Sequence, residues 1–221
     1  MNRKLFEAID SGEIEPVREM IGRDPALAVA RDERGVSAVG HARYRMRPEL
    51  VELLLAAGPE LDLFDAAAVG RVERLRELLD GDPSLVSAVS GDGGSALHLA
   101  AFLGSADAVR LLLERGADAD AVAPGFNEVK PLHSAVASRR PEVVHLLLEH
   151  GCDVNAKQRG GFNALHAAAH AGMTDVVDAL LARGADPKAT NDAGRTATDL
   201  AREAGHHAIA ERLALATSDD G

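Results

Sequence analysis

A tripeptide ending in Leu-His recurs in one register along this chain, as Ala96-Leu97-His98, Pro131-Leu132-His133 and Ala164-Leu165-His166. Each copy runs on into small residues and then a leucine-rich stretch. The intervals are 35 residues from His98 to His133 and 33 from His133 to His166. That is the length of one helix-turn-helix unit plus a short connection, and a unit so small cannot close a core alone. The chain is therefore constrained to bury its apolar faces by stacking copies of itself, which predicts an all-α solenoid.

The copies agree beyond the tripeptide. They open as Gly93-Gly-Ser-Ala-Leu-His-Leu-Ala-Ala, Lys130-Pro-Leu-His-Ser-Ala-Val and Gly161-Phe-Asn-Ala-Leu-His-Ala-Ala-Ala. They continue through Val-Arg-Leu-Leu-Leu, Val-His-Leu-Leu-Leu or Val-Asp-Ala-Leu-Leu and close on Gly116-Ala-Asp, Gly151-Cys-Asp and Gly184-Ala-Asp. Turn, first helix, second helix and closing triplet keep one order three times. This pattern resembles the ankyrin repeat family, whose unit carries a Thr-Pro-Leu-His-x-Ala signature. The resemblance implies stacked helix-turn-helix units with β-turn or hairpin fingers and a concave binding groove.

Extending the register outward makes the rest of the chain legible. Residues 5–35 match residues 63–93 at a constant offset of 58, Leu5-Phe-Glu-Ala against Leu63-Phe-Asp-Ala and Asp24-Pro25 against Asp82-Pro83. Two units are thus a copy of another two, with Phe6 and Phe64 standing where the signature has His. The spacing predicts one solenoid over residues 1–216, with approximate units 1–30, 31–60, 61–89, 90–121, 122–156, 157–189 and 190–216, and a disordered tail at 217–221. Two departures from the rhythm stand out. From Val39 to Leu63 is 24 residues against 34 from Leu63 to Leu97, so about one hairpin is missing near Gly58. The segment Ala121 to Lys130 is two residues longer than its counterpart at Ala156 to Asn163, which predicts a long finger.

Composition narrows the functional classes. A net charge of −11 argues against a sequence-independent nucleic-acid surface, which needs a basic stripe. No apolar run approaches the roughly 20 residues of a membrane-spanning helix, and the first ten residues lack the apolar stretch of a secretory signal. The expected compartment is the cytoplasm, and the expected state is a monomer. The single cysteine, Cys152, stands where sister units have Ala117 and Ala185 and reads as a packing residue.

Nine histidines invite a metal reading, but His98, His133 and His166 share one repeated position. Ligands to zinc must converge at about 2 Å, whereas stacked units lie roughly 10 Å apart. The resemblance implies a structural role, each imidazole bonding a neighbouring turn. His145 and His150 read as solvent-facing, and Asn155 as a turn former bonding local backbone. There is no phosphate loop, paired-cysteine motif or nucleophile elbow, so no cofactor, metal or catalytic residue is expected.

The resemblance further implies that a partner binds at hairpin tips and at the exposed ends of first helices. Carried onto this chain, those positions are Tyr44 and Arg45, Phe102 and Leu103, Phe126 and Arg159 on fingers, Phe162, and His170. Phe102 and Leu103 read equally as an anchor or as contacts to a neighbouring unit. The basic stretch Arg43-Tyr-Arg-Met-Arg47 suits carboxylates on a partner. A protein-interaction module is the expected function. A dedicated regulator of one enzyme stays open as a sharper version, and a metal-dependent or catalytic protein as a distant alternative.

Overall fold

Short polar side chains mark where five of the seven first helices begin. Ser37, Asp62, Ser95, Asn163 and Thr196 each accept a hydrogen bond from the backbone N–H three residues on, satisfying a donor that a helix start leaves unpaired. The helices that follow are only two to three turns long, because a left-handed residue stops each one. After the helix from Ala96 that residue is Gly104, at φ 82°, and glycine adopts it without a Cβ penalty. Met46 and Arg139 occupy the same place at φ 54° and 55°.

In the computed structural model, which describes residues 2–91, 93–124 and 127–218, fourteen α-helices follow one another in seven pairs among the described residues. They divide into two compact units, Met1–Ala117 and Asp118–Gly221. The first holds α1 (Asn2–Ser11), α2 (Ile14–Arg23), α3 (Ala38–Tyr44), α4 (Pro48–Ala56), α5 (Leu63–Val69), α6 (Val72–Gly81), α7 (Ala96–Leu103) and α8 (Ala106–Glu114). The second holds α9 (Pro131–Ala137), α10 (Pro141–Glu149), α11 (Ala164–His170), α12 (Thr174–Ala182), α13 (Ala197–Glu203) and α14 (His207–Ser218). Helix α14 thus continues to Ser218, past the tail boundary read at Thr217, and the last three residues lie outside the described ones.

Odd-numbered helices pack on the next odd-numbered helix within each unit, and their alanines allow it. Ala66, Ala67, Ala100, Ala101, Ala168 and Ala169 are all fully buried. The even-numbered helices form a second layer, in which Val109, Leu112, Val144, Leu147, Val177 and Leu180 have no exposed surface. Each buried leucine contributes on the order of 1.5–3 kcal/mol. The 58-residue duplication appears in three dimensions: α2 and α6, and the 3₁₀ turns Pro25–Val29 and Pro83–Ser87, keep that offset. In both turns the aspartate before proline caps the backbone, Asp24 to Ala26 and Asp82 to Ser84.

The fingers are hairpins closed by single antiparallel bridges, Arg31 with Ser37 and Val89 with Ser95 in the first unit, Ala123 with Val129 and Thr190 with Thr196 in the second. Between α4 and α5 only Ala57 to Asp62 intervene, and no bridge forms there among the described residues. The long finger turns through Asn127 and Glu128, both left-handed at φ 59° and 61°. Neighbouring fingers of the second unit bond through backbone, Arg159 N–H to the Asn127 carbonyl and Asp192 N–H to the Gly160 carbonyl, each at 3.0 Å.

Candidate partner surface and an arched cleft

The repeated histidine is tied on both ring nitrogens where both are seen. The Lys130 N–H donates to His133 Nδ1 at 3.0 Å, and His133 Nε2 donates to the carbonyl of Ala156 in the following loop at 3.0 Å. His166 repeats the pattern, accepting from the Asn163 N–H at 3.3 Å and donating to the Arg195 carbonyl at 3.1 Å. The Nδ1 of His98 accepts from the Ser95 N–H at 3.3 Å. Burial lowers the pKa of His133 and of His166 below the ordinary imidazole value, because the low-dielectric surroundings disfavour the charged ring. A neutral ring is the form these bonds require.

Phe102 and Leu103 differ in the face of α7 they take. Phe102 is 40% exposed, whereas Leu103 is 2% exposed and belongs to the core, so Leu103 is withdrawn from the partner-facing set. Successive helical residues point about 100° apart, and here that rotation leaves Phe102 outward and carries Leu103 into the core. Tyr44, half-buried, stands beside Phe102 with ring centroids 6.4 Å apart.

The basic stretch is largely committed inside the first unit, which corrects the reading of it as open to a partner's carboxylates. Arg43 donates to the carbonyls of Ala68 and Leu103 at 3.3 and 2.9 Å, Arg45 pairs with Asp10 at 2.6 Å, and Arg47 donates to the Asp10 carbonyl at 3.1 Å. The Asp10 carboxyl also bonds the His41 ring and is held below its usual range, chiefly by that bond. In the second unit Arg159 and His170 are exposed. Phe162 is half-buried, with its ring edge-on to His166 at 5.9 Å. Phe126 lies outside the described residues.

The missing hairpin leaves a cleft. With nothing between them, the hairpins Arg31–Ser37 and Val89–Ser95 meet at their tips: a Cβ added at Gly91 would lie 2.7 Å from the Arg34 carbonyl oxygen. Below this contact is a hollow of about 310 Å³, walled by Val36, Tyr44, Phe64, Val89 and Leu99. Arg31 and Arg34 line its polar side with Asp62. Arg31 donates to the Gly35 carbonyl at 2.6 Å and to Asp62 at 2.5 Å, with Asp65 3.6 Å away. Arg34 is exposed, and its guanidinium has no ion pair or hydrogen bond among the described residues.

Behind Arg31 sits Asp65, 3% exposed. It accepts a short hydrogen bond from the Ser37 hydroxyl, and its other oxygen has no hydrogen-bond partner among the described residues. Burial pushes its carboxyl up to about 6, against the lowering effect of Ser37.

Two models of ankyrin repeats, one of three copies and one of many, match residues 63–158 and 147–201, together more than half of the chain. The chain belongs to the ankyrin repeat family. It is 35% identical over 85 residues to the mouse ankyrin repeat and SAM domain-containing protein 6, covering 35% of this chain and 10% of that protein. Over 122 residues it is 33% identical to ankyrin repeat domain-containing protein SAT10 of Stachybotrys chartarum, covering 51% and 6%. Over 66 residues it is 44% identical to E3 ubiquitin-protein ligase XB3 of Oryza sativa subsp. japonica, covering 29% and 15%. The matched stretch spans at most 15% of these three relatives.

Against the ankyrin plan, several residues take roles that sequence did not reveal. Asp65 holds the third helical position of α5, the place His98 has in α7, because α5 is capped at Asp62. The Asp62-x-x-Asp65 spacing, next to a missing hairpin, was the available signal for this cluster. Asn155 bonds across to the next repeat, donating to the Gly184 carbonyl at 3.0 Å and accepting from the Asp186 N–H at 2.8 Å, so its side chain is a tie between ankyrin units rather than a local turn bond. Cys152 is buried, and desolvation pushes its thiol up to about 11. Among the described residues no group of three or more His, Cys, Asp or Glu is placed to hold a metal ion, and no helix is long and apolar enough to cross a membrane.

Proposed function

We propose that this chain acts as a non-enzymatic ankyrin module that captures a protein partner at the end of its first helices, with Phe102 as the anchor. Ankyrin repeats are in general protein-protein interaction modules, and the observation that carries the finer reading is the 40% exposure of Phe102 against the flank of Tyr44. An aromatic ring held by a second ring and ringed by polar residues is the usual centre of interface energy. In the second unit the exposed Arg159 and His170 and the half-buried Phe162 are the corresponding contact positions. The chain's net charge of −11 supports a protein rather than a nucleic-acid partner. The same reading takes it as a cytoplasmic monomer.

The test is chemical crosslinking and affinity capture with the intact chain as bait, beside Phe102→Ala. The reading expects a protein retained by the parent and lost from the variant, with circular dichroism showing the variant still folded under the capture conditions. Equal capture by both chains removes Phe102 as the anchor.

A further inference from the structure

An ankyrin stack that skips a finger has two ways to heal: leave a slot open to solvent, or draw the flanking fingers together. This chain does the second. A Cβ built on Gly91 would lie 2.7 Å from the Arg34 carbonyl oxygen and 3.8 Å from Gly35 Cα, so the tips touch over one side of a half-open hollow of about 310 Å³. A polypeptide cannot run between fingers whose tips touch, so what enters must be small. The volume falls at the lower end of small-ligand cavities, about 300–1,000 Å³.

The walls define the chemistry. Phe64, Leu99, Val36 and Val89 offer apolar surface, and Val89 is 63% exposed although it faces a pocket rather than a convex surface. The polar side sets two guanidiniums, Arg31 and Arg34, against one partly exposed carboxylate, Asp62. Arg31 is held in place by its bonds to Asp62 and the Gly35 carbonyl. Arg34 carries a charge with no partner among the described residues, in a chain with 35 acidic and 24 basic residues. A guanidinium beside apolar walls selects a carboxylate attached to a nonpolar body.

We propose that the arched cleft is a binding site for a small carboxylic acid with an aromatic or branched apolar body, its carboxylate taken by Arg34 and its body lodged against Phe64, Tyr44 and Val89. The site shares Tyr44 with the Phe102 surface, but partner capture and small-acid binding have separate readouts, so either reading can fail alone.

Titration of the intact chain with 3-phenylpropionate, followed by amide NMR shifts and calorimetry, tests this, with 3-phenylpropan-1-ol as the uncharged analogue. The acid is expected to bind with a Kd of about 1 mM or tighter, reasonable for a fragment of this size. Shifts should centre on Arg34, Phe64 and Val89. Arg34→Gln, at an exposed side chain with no partner among the described residues, should weaken the acid at least about tenfold, the loss of one charge-assisted bond. Val89→Glu, which supplies an internal carboxylate at an exposed position, should abolish binding without lowering Tm and decides the matter if Arg34→Gln misfolds. Equal binding of acid and alcohol, shifts mapping elsewhere, unchanged affinity in both variants, or no saturation by any concentration in the millimolar range would each overturn the proposal.

Discussion

His133 does two jobs with one ring: it receives the backbone N–H that opens its own helix and donates to the Ala156 carbonyl of the next loop. Removing it leaves that carbonyl without a donor in a site where the residue is 4% exposed. His133→Ala is expected to cost about 2–3 kcal/mol, combining an unsatisfied buried acceptor with lost packing. His145→Ala, at an exposed position of α10, is expected to cost almost nothing. Urea unfolding of the two variants checks this, and equal midpoints would refute the fastening role. The recurrence of Leu-His made these positions readable, because a strict period is visible in a string of letters. The fate of Phe102 and Leu103 was not readable, since which of two neighbours turns inward depends on where α7 ends at Gly104. Nor was the commitment of Arg43, Arg45 and Arg47 to Asp10 and to carbonyls of distant residues, contacts that exist only after the helices have stacked.

Fingers and caps decide how the helices meet. The shortfall between Val39 and Leu63 announced an absent hairpin, yet spacing cannot tell whether neighbours stay apart or lean together. Gly91 supplies the answer, because only a residue without Cβ tolerates the Arg34 carbonyl so close; a methyl there would sit 2.7 Å from that oxygen. Gly91→Ala should therefore prise the two tips apart, destabilising the first unit by about 1–2 kcal/mol, the usual scale for a forced contact. Faster amide exchange at Gly35 and Val36, together with a lower urea midpoint, is the expected signature. An alanine variant with native exchange rates and midpoint would show that the tips do not rely on this contact. The cap of α5 was hidden for a related reason: the alignment set Phe64 against His98, but capping at Asp62 moves the first turn by one residue and puts Asp65 in that place. A helix start is fixed by hydrogen bonding, and a one-residue shift in it leaves the apolar pattern intact.

At the scale of the chain, the two compact units carry buried titratable groups whose pH responses have opposite sign. In the second unit burial lowers the pKa of His133 and His166 from 6.5. As pH falls through about 6.5 the unfolded chain takes up protons that the folded rings refuse, so stability present above that pH is progressively lost below it. In the first unit the Asp65 carboxyl is raised from 3.8 to about 6. Here the folded state binds a proton the unfolded chain does not hold between those values, so stability is gained as pH falls through about 6. Ankyrin stacks unfold by local units coupled to their neighbours, which lets the two responses be seen separately. Hydrogen exchange corrected for intrinsic rates, compared at about pH 7.5 and about pH 5.5, is expected to show protection falling around α9 and α11 while it rises around α3 and α5. Asp65→Asn removes the titrating carboxyl and should raise protection of α3 and α5 at the higher pH, flattening their response while leaving α9 and α11 unchanged. If both units lost protection together on acidification, and Asp65→Asn altered neither, the buried carboxyl would not be the group that sets the first unit's response.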